Sequence, residues 1–287
     1  MIEIQNMTFG YGRREEPVFR DFSLSLSENR IYGLLGKNGM GKSTLLKLVC
    51  GLLRPQQGRV CIDGVDVSAR RVEMLQDVYI VPEVFDMPRM SMMKCIEMHR
   101  DFYPRFSDEV LIKCLSEFEL PEVKRMQELS MGQKKKVYMC LALASGTRLL
   151  LMDEPTNGLD IPSKSLFRKI IASNMTEERT MIISTHQVHD VESLLDHILL
   201  LDHSHLLLNA SVSDLTEKYT FGYRRQSEMD DSVVYSEPAL QGNAVMCRRQ
   251  AGDGDTQLNL ELLFNAMVNG VEVADWERHE KNRMEEI

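Results

Sequence analysis

The chain has 287 residues, of which 43% are hydrophobic and 27% charged, and its formal net charge is −9. This composition suits a packed globular protein of one large or two modest domains, and the acidic balance argues against a nucleic-acid-binding protein. No apolar run approaches the ~18 residues that a membrane-spanning helix needs, and the opening residues give no expectation of an export signal. Six scattered cysteines without a Cys-x-x-Cys pair favour reduced core thiols in a cytosolic protein over a metal site.

The N-terminal segment is predicted to contain two strands, residues 2–9 and 18–26, that alternate apolar and polar side chains. A polar turn separates them, so we expect a small antiparallel sheet. A third, apolar strand, Ile31–Leu35, leads into a glycine-rich loop and then a helix. Tyr11 ends the first strand; it is either a platform on which an adenine ring stacks or an ordinary strand-end tyrosine.

The glycine-rich loop has the spacing of a phosphate-binding loop. Glycines let backbone N–H groups turn toward an anion, and the N-terminus of the next helix adds further unpaired N–H groups. Lys42 is predicted to reach the outer phosphates, and Ser43 to bind Mg²⁺ through its hydroxyl. The predicted nucleotide-binding residues of this loop are Gly36, Lys37, Asn38, Gly39, Met40, Gly41, Lys42, Ser43 and Thr44.

A change of pattern follows two further strand-like pieces, residues 59–64 and 78–82. From about residue 84 to 148 the apolar residues fall at helical spacing, which predicts a helical insert. Glu83 stands just after the second piece, as a carboxylate at a strand end. A methionine cluster with Phe85 and Pro88 is either core of the insert or a groove for a partner. Its methionines are Met87, Met90, Met92, Met93 and Met98.

The segment Leu-Ser-Met-Gly-Gln at residues 129–133 precedes a helix predicted over residues 134–145. Ser130 is a good helix cap, so this turn is either an ordinary capped helix or a second anion site at a helix N-terminus.

Polar side chains also end two buried strands, Leu149–Asp153 and Thr180–Thr185. Asp153 is suited to hold Mg²⁺, and Glu154 is suited to polarise an attacking water. His186, which taken alone would more often be structural, follows the second strand. Because ligands bind at the carboxyl edge of an open parallel sheet, we expect the phosphate loop, Glu83 and these three residues to form one site.

Residues 197–202 give one more strand, and residues 218–287 carry no readable chemistry. The latter contain strand-like pieces at 232–235 and 244–247, a helical segment at 259–268 and a charged end from Trp276. We expect a small accessory extension there.

Taken in order, the motifs GLLGKNGMGKST, LSMGQ, LLLMDEPTNGLD and STH resemble the ATP-binding cassette family, specifically the nucleotide-binding subunit of an ABC transporter. The resemblance covers about residues 1–215. It implies an α/β fold of the P-loop NTPase type, with a mostly parallel sheet, a small N-terminal antiparallel sheet, a helical insert and a small C-terminal extension. The cassette would span residues 1–217, with its helical subdomain at about 84–148, and the extension residues 218–287.

The resemblance also implies roles for single residues. Tyr11 would stack on the adenine of ATP, and residues 36–44 would wrap its phosphates. The other implied roles are catalysis by Glu154, His186 and Lys42, Mg²⁺ binding by Ser43, Glu83 and Asp153, and closure in trans of a second copy's nucleotide by Ser130, Gly132, Gln133 and Asp160. Two positions depart from the family pattern: Glu83 replaces a glutamine, and Met131 replaces a glycine.

The function implied is an ATPase that lies on the cytoplasmic face of the cell membrane. It would pair with a second cassette, as a homodimer or heterodimer, and drive an integral membrane permease on a separate chain, with export mildly preferred. The alternative is a soluble ABC ATPase acting in translation or DNA repair. One uninterrupted cassette and the acidic balance disfavour that alternative, and no nucleic-acid partner is expected. Glu154 disfavours a nucleotide-binding regulator without turnover.

Overall fold

A computed structural model describes residues 1–12, 16–86, 89–120, 125–240, 242–271 and 273 of the chain. Its strands form sheets of four, six and three strands. In chain order the strands are β1 Ile2–Phe9, β2 Phe19–Leu26, β3 Ile31–Leu35, β4 Gln57–Ile62, β5 Val65–Asp66, β6 Val78–Val81, β7 Leu149–Asp153, β8 Thr180–Thr185, β9 His197–Asp202, β10 His205–Ser211, β11 Tyr219–Arg224, β12 Val233–Ala239 and β13 Gly242–Arg248. The α-helices are α1 Lys42–Val49, α2 Val72–Leu75, α3 Met92–Phe102, α4 Asp108–Glu117, α5 Met131–Ala144, α6 Ile161–Ser173, α7 Val212–Lys218 and α8 Leu260–Val268.

The six-stranded sheet, in the order β10-β9-β3-β8-β7-β6, forms the centre of the molecule. Its inner pairs are parallel, and only β10 runs antiparallel, at one edge. Side chains of β7 alternate between two cores: Leu150 and Met152 face one, and Leu149 and Leu151 face the other. Because both faces of the sheet are covered, its strands are continuous apolar runs, as the sequence predicted.

The four-stranded antiparallel sheet packs with α1 over one face of the central sheet. Its order is β2-β1-β4-β5. The predicted N-terminal pair of strands is present, but β4 joins it through pairs such as Ile4 with Val60, and β5 pairs with β4. The sheet is thus larger than the two strands expected, and the 59–64 piece belongs to it.

The other face of the central sheet is covered by the helical insert and α6. Between β6 and β7 the described residues form α3, α4, α5 and a 3-10 turn, Met126–Glu128, which confirms a helical insert in an α/β fold. Helix α5 begins at Met131, not at residue 134 as predicted, because Ser130 caps it. The C-terminal half of α5 is largely apolar on all sides, and its residues 139–144 are all buried.

The C-terminal region is a three-stranded sheet, β11-β13-β12, with α8 packed on it. Strands β10 and β11 were not predicted, and β12 runs beyond the predicted piece through Pro238, which an edge strand tolerates. Buried side chains of this region, including Phe221, Met246 and Leu263, belong to the same hydrophobic core as Leu200 of the central sheet. The boundary at residue 218 stays a prediction, and the charged end from Trp276 lies outside the described residues.

The described residues bear on two features noted from the composition, membrane-spanning helices and the state of the cysteines. Over those ranges, every helix is too short or too polar to traverse a bilayer. All six cysteines are buried and have free thiols.

Candidate nucleotide site

The phosphate loop joins the carboxyl end of β3 to the N-terminus of α1. Gly39 and Gly41 have φ angles of +86° and +98°, in the left-handed region that glycine adopts without strain. A Cβ on Gly41 would also lie 2.9 Å from Val18 Cγ1 and from Phe19 Cζ, so the antiparallel sheet packs too closely for a side chain. Among the described residues no side chain caps α1, and its first N–H groups remain available to an anion.

Lys42 places a buried ammonium at the centre of this loop. Its side chain is 6% exposed, and Nζ donates to the carbonyl oxygens of Gly36 at 2.7 Å and Lys37 at 3.2 Å. Burial lowers the pKa of Lys42, whereas the nearby carboxylates of Glu154, Asp153 and Glu83 act to raise it. The ammonium is therefore held by the backbone of the phosphate loop itself.

Asp153 ends β7 as a buried carboxylate with a fixed orientation. Ser184, its register partner on β8, donates from Oγ to Asp153 Oδ1 at 2.5 Å. This bond engages one carboxylate oxygen and leaves acceptor positions for a cation. Ser43 contributes a hydroxyl from the first turn of α1. Carboxylate and hydroxyl oxygens are the ligands that Mg²⁺ prefers, so the residues present fit this ion.

Glu154 and His186 meet at the ends of neighbouring strands. Glu154 Oε1 lies 2.8 Å from His186 Nδ1 and 3.8 Å from Lys42 Nζ, and Thr185 Oγ1 donates to Glu154 Oε2 at 3.2 Å. Glu154 has a φ of +46°, unusual for a residue other than glycine. The structure thus brings Lys42, Glu154 and His186 into one cluster of contacting side chains; their catalytic roles stay predictions.

Glu83 and Tyr11 contact residues that neighbour this cluster in sequence, Asn157 and Thr44. Glu83 Oε1 accepts a hydrogen bond from Asn157 Nδ2 at 3.1 Å, so the carboxylate after β6 contacts the turn that follows Glu154. The Tyr11 hydroxyl lies 3.0 Å from Thr44 Oγ1, and its ring, 60% exposed, contacts Phe9 edge-on. The open ring beside α1 is compatible with stacking on a base.

The predicted in-trans residues lie at helix N-termini on the other side of this turn. Ser130 and Gln133 form a capping box at α5: Gln133 N donates to Ser130 Oγ at 3.2 Å, and Ser130 N donates to Gln133 Oε1 at 2.9 Å. A Cβ on Gly132 would lie 3.6 Å from the Gly158 carbonyl. Asp160 caps α6, and the hydrogen bonds from Ser163 lower the pKa of Asp160. Each therefore has a local capping or packing role, and action in trans stays a prediction.

Comparison with known proteins identifies the family of this chain. Residues 19–157 match the family model described as ABC transporter. The ABC transporter ATP-binding protein NatA of Bacillus subtilis is 30% identical over 205 residues, which cover 69% of this chain and 83% of that protein. The chain belongs to the ABC transporter family. It is accordingly an ATP-binding cassette with ATPase activity that serves transport.

Other relatives of the cassette have similar coverage. The ABC transporter ATP-binding protein YtrB of Bacillus subtilis is 28% identical over 223 residues, covering 76% of this chain and 75% of that protein. Among solved structures, the ATP-binding subunit of an ABC transporter superposes with a TM-score of 0.67 at 22% identity, over 75% of this chain and 91% of the other. The dimeric ATP-binding cassette MJ0796, in a post-hydrolysis state bound to ADP and Pi, gives 0.65 at 24% identity, over 74% and 98%. These two structures show the shared fold.

Four polar residues that the structure places around Glu154 were not predicted from the sequence. They are Lys135, Asn157, Ser184 and Thr185. Ser184 and Thr185 could have been found, because β7 and β8 were both predicted and the last residues of neighbouring parallel strands lie side by side. Lys135 stands in a run of three lysines, which ordinarily indicates a solvated helix face.

Proposed function

We propose that this cassette binds ATP with Mg²⁺ at the phosphate loop, closes against a second cassette and passes the movement to an integral membrane permease on a separate chain. The observation that supports the proposal is the convergence of Lys42, Asp153, Glu154 and His186 at one sheet edge, from three separate parts of the chain. A single polar residue at a strand end would mean little, but four form a site with complementary chemistry.

Each residue then has a task in hydrolysis. The Glu154 carboxylate accepts a proton from the attacking water as its oxygen bonds to the γ-phosphorus and the bond to the β–γ bridging oxygen breaks. His186, bonded to the same carboxylate, orients it and faces the γ-phosphate, while Lys42 offsets the phosphate charge. Ser43 and Asp153 would hold Mg²⁺, which screens the triphosphate charge, with Glu83 as a further oxygen donor.

A second cassette completes the site in this proposal. A phosphate loop leaves one side of the γ-phosphate open to water, and the capped N-terminus of α5 in another copy, with Ser130, Gly132 and Gln133, would supply donors there. Asp160 would lie across the same contact. The dimeric structures of cassettes with this fold support the arrangement. Homodimer and heterodimer are both compatible with it.

The permease would dock in a cleft between the cassette core and the helical insert, which we call the aromatic cleft. It has a volume of about 300 Å³, and its lining includes Leu52, His99, Phe102, Tyr103 and Tyr138. Leu52 and Phe102 expose apolar surface there. Since β6 lines the cleft and Glu83 follows β6, a segment bound in the cleft would lie close to the nucleotide site. This placement supports membrane-face attachment through the permease.

The predicted methionine groove is only partly compatible with this docking surface. Phe85, Met90 and Met92 pack against the core, whereas Met93 and Met98 are exposed on α3, and Met87 and Pro88 lie outside the described residues. Relatives named for lantibiotic transport and for Nod factor export, at 28% identity each, support the preference for export.

Substitution of Glu154 by Gln tests the hydrolytic site. The variant is expected to bind ATP, to lose at least 100-fold in turnover and to accumulate an ATP-dependent dimer, because water activation is lost while the phosphate donors remain. Turnover is measured by phosphate release and dimerisation by size-exclusion chromatography with ATP. Turnover at the wild-type rate would remove Glu154 from the role of base. Glu83→Ala, assayed beside it, should weaken the Mg²⁺ dependence if Glu83 binds the ion.

Substitution of Phe102 by Asp tests the aromatic cleft. We expect basal ATPase activity to persist and co-purification with membranes to be lost, because a charge would oppose docking of an apolar segment. Ile112→Asp, an exposed apolar position on α4 away from the cleft, is the matched control. Membrane association of the Phe102 variant at the wild-type level would exclude this surface. The same assay with Met93→Asp asks whether the exposed methionine extends it.

A further inference from the structure

Lys135 is a buried lysine with no part in the hydrolytic site described above. It lies in the second turn of α5, and its side chain is 5% exposed. Nζ donates to the Glu154 carbonyl oxygen at 2.6 Å and to the Asn157 carbonyl oxygen at 2.9 Å. Lysine is rarely buried without partners, because removing an ammonium from water is unfavourable. The carbonyls of one turn, the turn that carries Glu154, are the partners here.

Glu83 is a second charged side chain that contacts this turn. Its carboxylate accepts from the Asn157 side chain, so Glu83 and Lys135 approach the same turn from two sides. Burial lowers the pKa of Lys135, and the carboxylates of Glu83, Glu154 and Asp153 counteract the lowering. Glu83 thus holds the side chain of Asn157 while Lys135 holds the carbonyl oxygen of the same residue.

The backbone at Glu154 needs such a restraint. A glutamate with a φ of +46° is held only where the surrounding structure over-determines the backbone. Glu154 N donates to the Ser184 carbonyl at 3.0 Å, and Lys135 fixes the Glu154 carbonyl on the other side. The two contacts clamp the peptide groups on both sides of the Glu154 Cα, which sets the direction of the carboxylate.

We propose that Lys135 is a positioning residue that ties helix α5 to the catalytic turn and so couples the N-terminus of α5 to Glu154. Ser130, at that N-terminus, precedes Lys135 by only about 7.5 Å along the helix axis. A helix is rigid over that length, so a shift of the Ser130 end displaces the Glu154 carbonyl. The proposal rests on the proposed function, in which the α5 N-terminus of one copy contacts the nucleotide held by the phosphate loop of the other copy. Glu154 of the copy that contributes α5 would then respond to that nucleotide.

The test compares three variants of the full chain: Lys135→Met, Lys135→Gln and, as matched control, Lys134→Met at the half-buried neighbour. Lys135→Met is expected to lower kcat about 10- to 100-fold with KM within about threefold of wild type, because misplacement affects the reaction more than binding. Lys135→Gln should recover at least about threefold of that kcat, since its amide can donate to a carbonyl. The control should match wild type, and melting temperatures are recorded for all.

Two results would overturn the proposal. One is a kcat for Lys135→Met within about twofold of wild type. The other is a loss of kcat that is the same in the Met and Gln variants and follows their fall in melting temperature. That result would show that Lys135 has a purely structural role. If Lys135→Met does not fold, Lys135→Gln against the control decides by the kcat and KM split. Glu154→Gln assayed in parallel separates the two proposals. Turnover at the wild-type rate in Glu154→Gln would contradict the proposed hydrolytic site. Loss of turnover in Glu154→Gln together with wild-type turnover in Lys135→Met would contradict only the role of Lys135.

Discussion

Substitution of Leu263 by Ala probes whether the C-terminal region is an accessory extension or part of the cassette's core. Leu263 lies in α8, has no solvent exposure, and shares a hydrophobic core with Val188 and Val191 of the segment that follows His186. Leu260 N, in the first turn of α8, also donates to Glu192 Oε1 at 3.0 Å. If the two regions fold as one unit, a cavity in α8 should lower the stability of the nucleotide site as well.

The expected loss follows from the buried side chain. Replacing Leu by Ala removes one methine and two methyl groups and forfeits about 2.4 kcal/mol of transfer free energy, at about 0.8 kcal/mol per carbon group. A residual cavity of about 60 Å³ adds about 1.4 kcal/mol. The sum, about 4 kcal/mol, lowers the urea midpoint by about 1 M if the unfolding slope is about 3 to 4 kcal/mol per molar.

The assay is urea unfolding followed by two probes, far-ultraviolet circular dichroism and ATPase activity. Both transitions should move to lower urea together in Leu263→Ala. The matched control is Leu240→Ala, the same change in the same region at a side chain with 108% relative exposure, which should leave both midpoints in place. A first transition at low urea that leaves the activity midpoint unchanged would refute the reasoning and mark the extension as an independent unit.

Three further predictions follow from single contacts. If the Tyr11 ring stacks on adenine as proposed, Tyr11→Ala should weaken binding of a fluorescent ATP analogue about tenfold while Tyr11→Phe stays near wild type. Equal losses would assign the effect to the hydroxyl. Ser184→Ala should raise the Mg²⁺ concentration for half-maximal ATPase activity about tenfold, because Asp153 loses its orienting partner; an unchanged titration contradicts this. The hydrogen bond to Glu261 is the main cause that raises the folded-state pKa of His189 above 6.5. The stability that this hydrogen bond contributes is therefore fully present below about pH 6.5 and is lost as pH rises through the raised pKa of His189. The melting temperature of Glu261→Gln should accordingly differ from that of wild type most at low pH. A difference in melting temperature that does not change with pH would count against the contact.

Strands buried on both faces were the easiest elements to predict. Strands β3, β7, β8 and β9 are mostly apolar and either end in a polar residue or are followed by a glycine, and their predicted bounds agree with the structure. Strands β10 and β11 were missed because each has one half-exposed side and no turn signal that sets it apart. The start of α5 was placed a turn late, since the cap at Ser130 lies inside a motif interpreted for its chemistry.

The residues of the candidate site that lie at the ends of apolar strands were predictable from the sequence. The phosphate loop, Asp153, Glu154 and His186 each follow an apolar strand, and parallel pairing brings such ends together. Lys135 was not predictable in the same way. Its burial depends on where the helical insert packs against the turn after β7, a tertiary contact that local periodicity does not encode. The pairing of Glu83 with Asn157 has the same origin.

The left-handed backbone of Glu154 has a consequence for any attempt to improve this protein. Glycine and asparagine adopt that conformation more readily, so a library at position 154 sorted for heat resistance alone should enrich them. Both substitutions would remove the carboxylate that we propose activates the attacking water. Selection for thermal stability and selection for turnover thus favour different amino acids at position 154. Stabilising substitutions that keep turnover have to be sought at other positions.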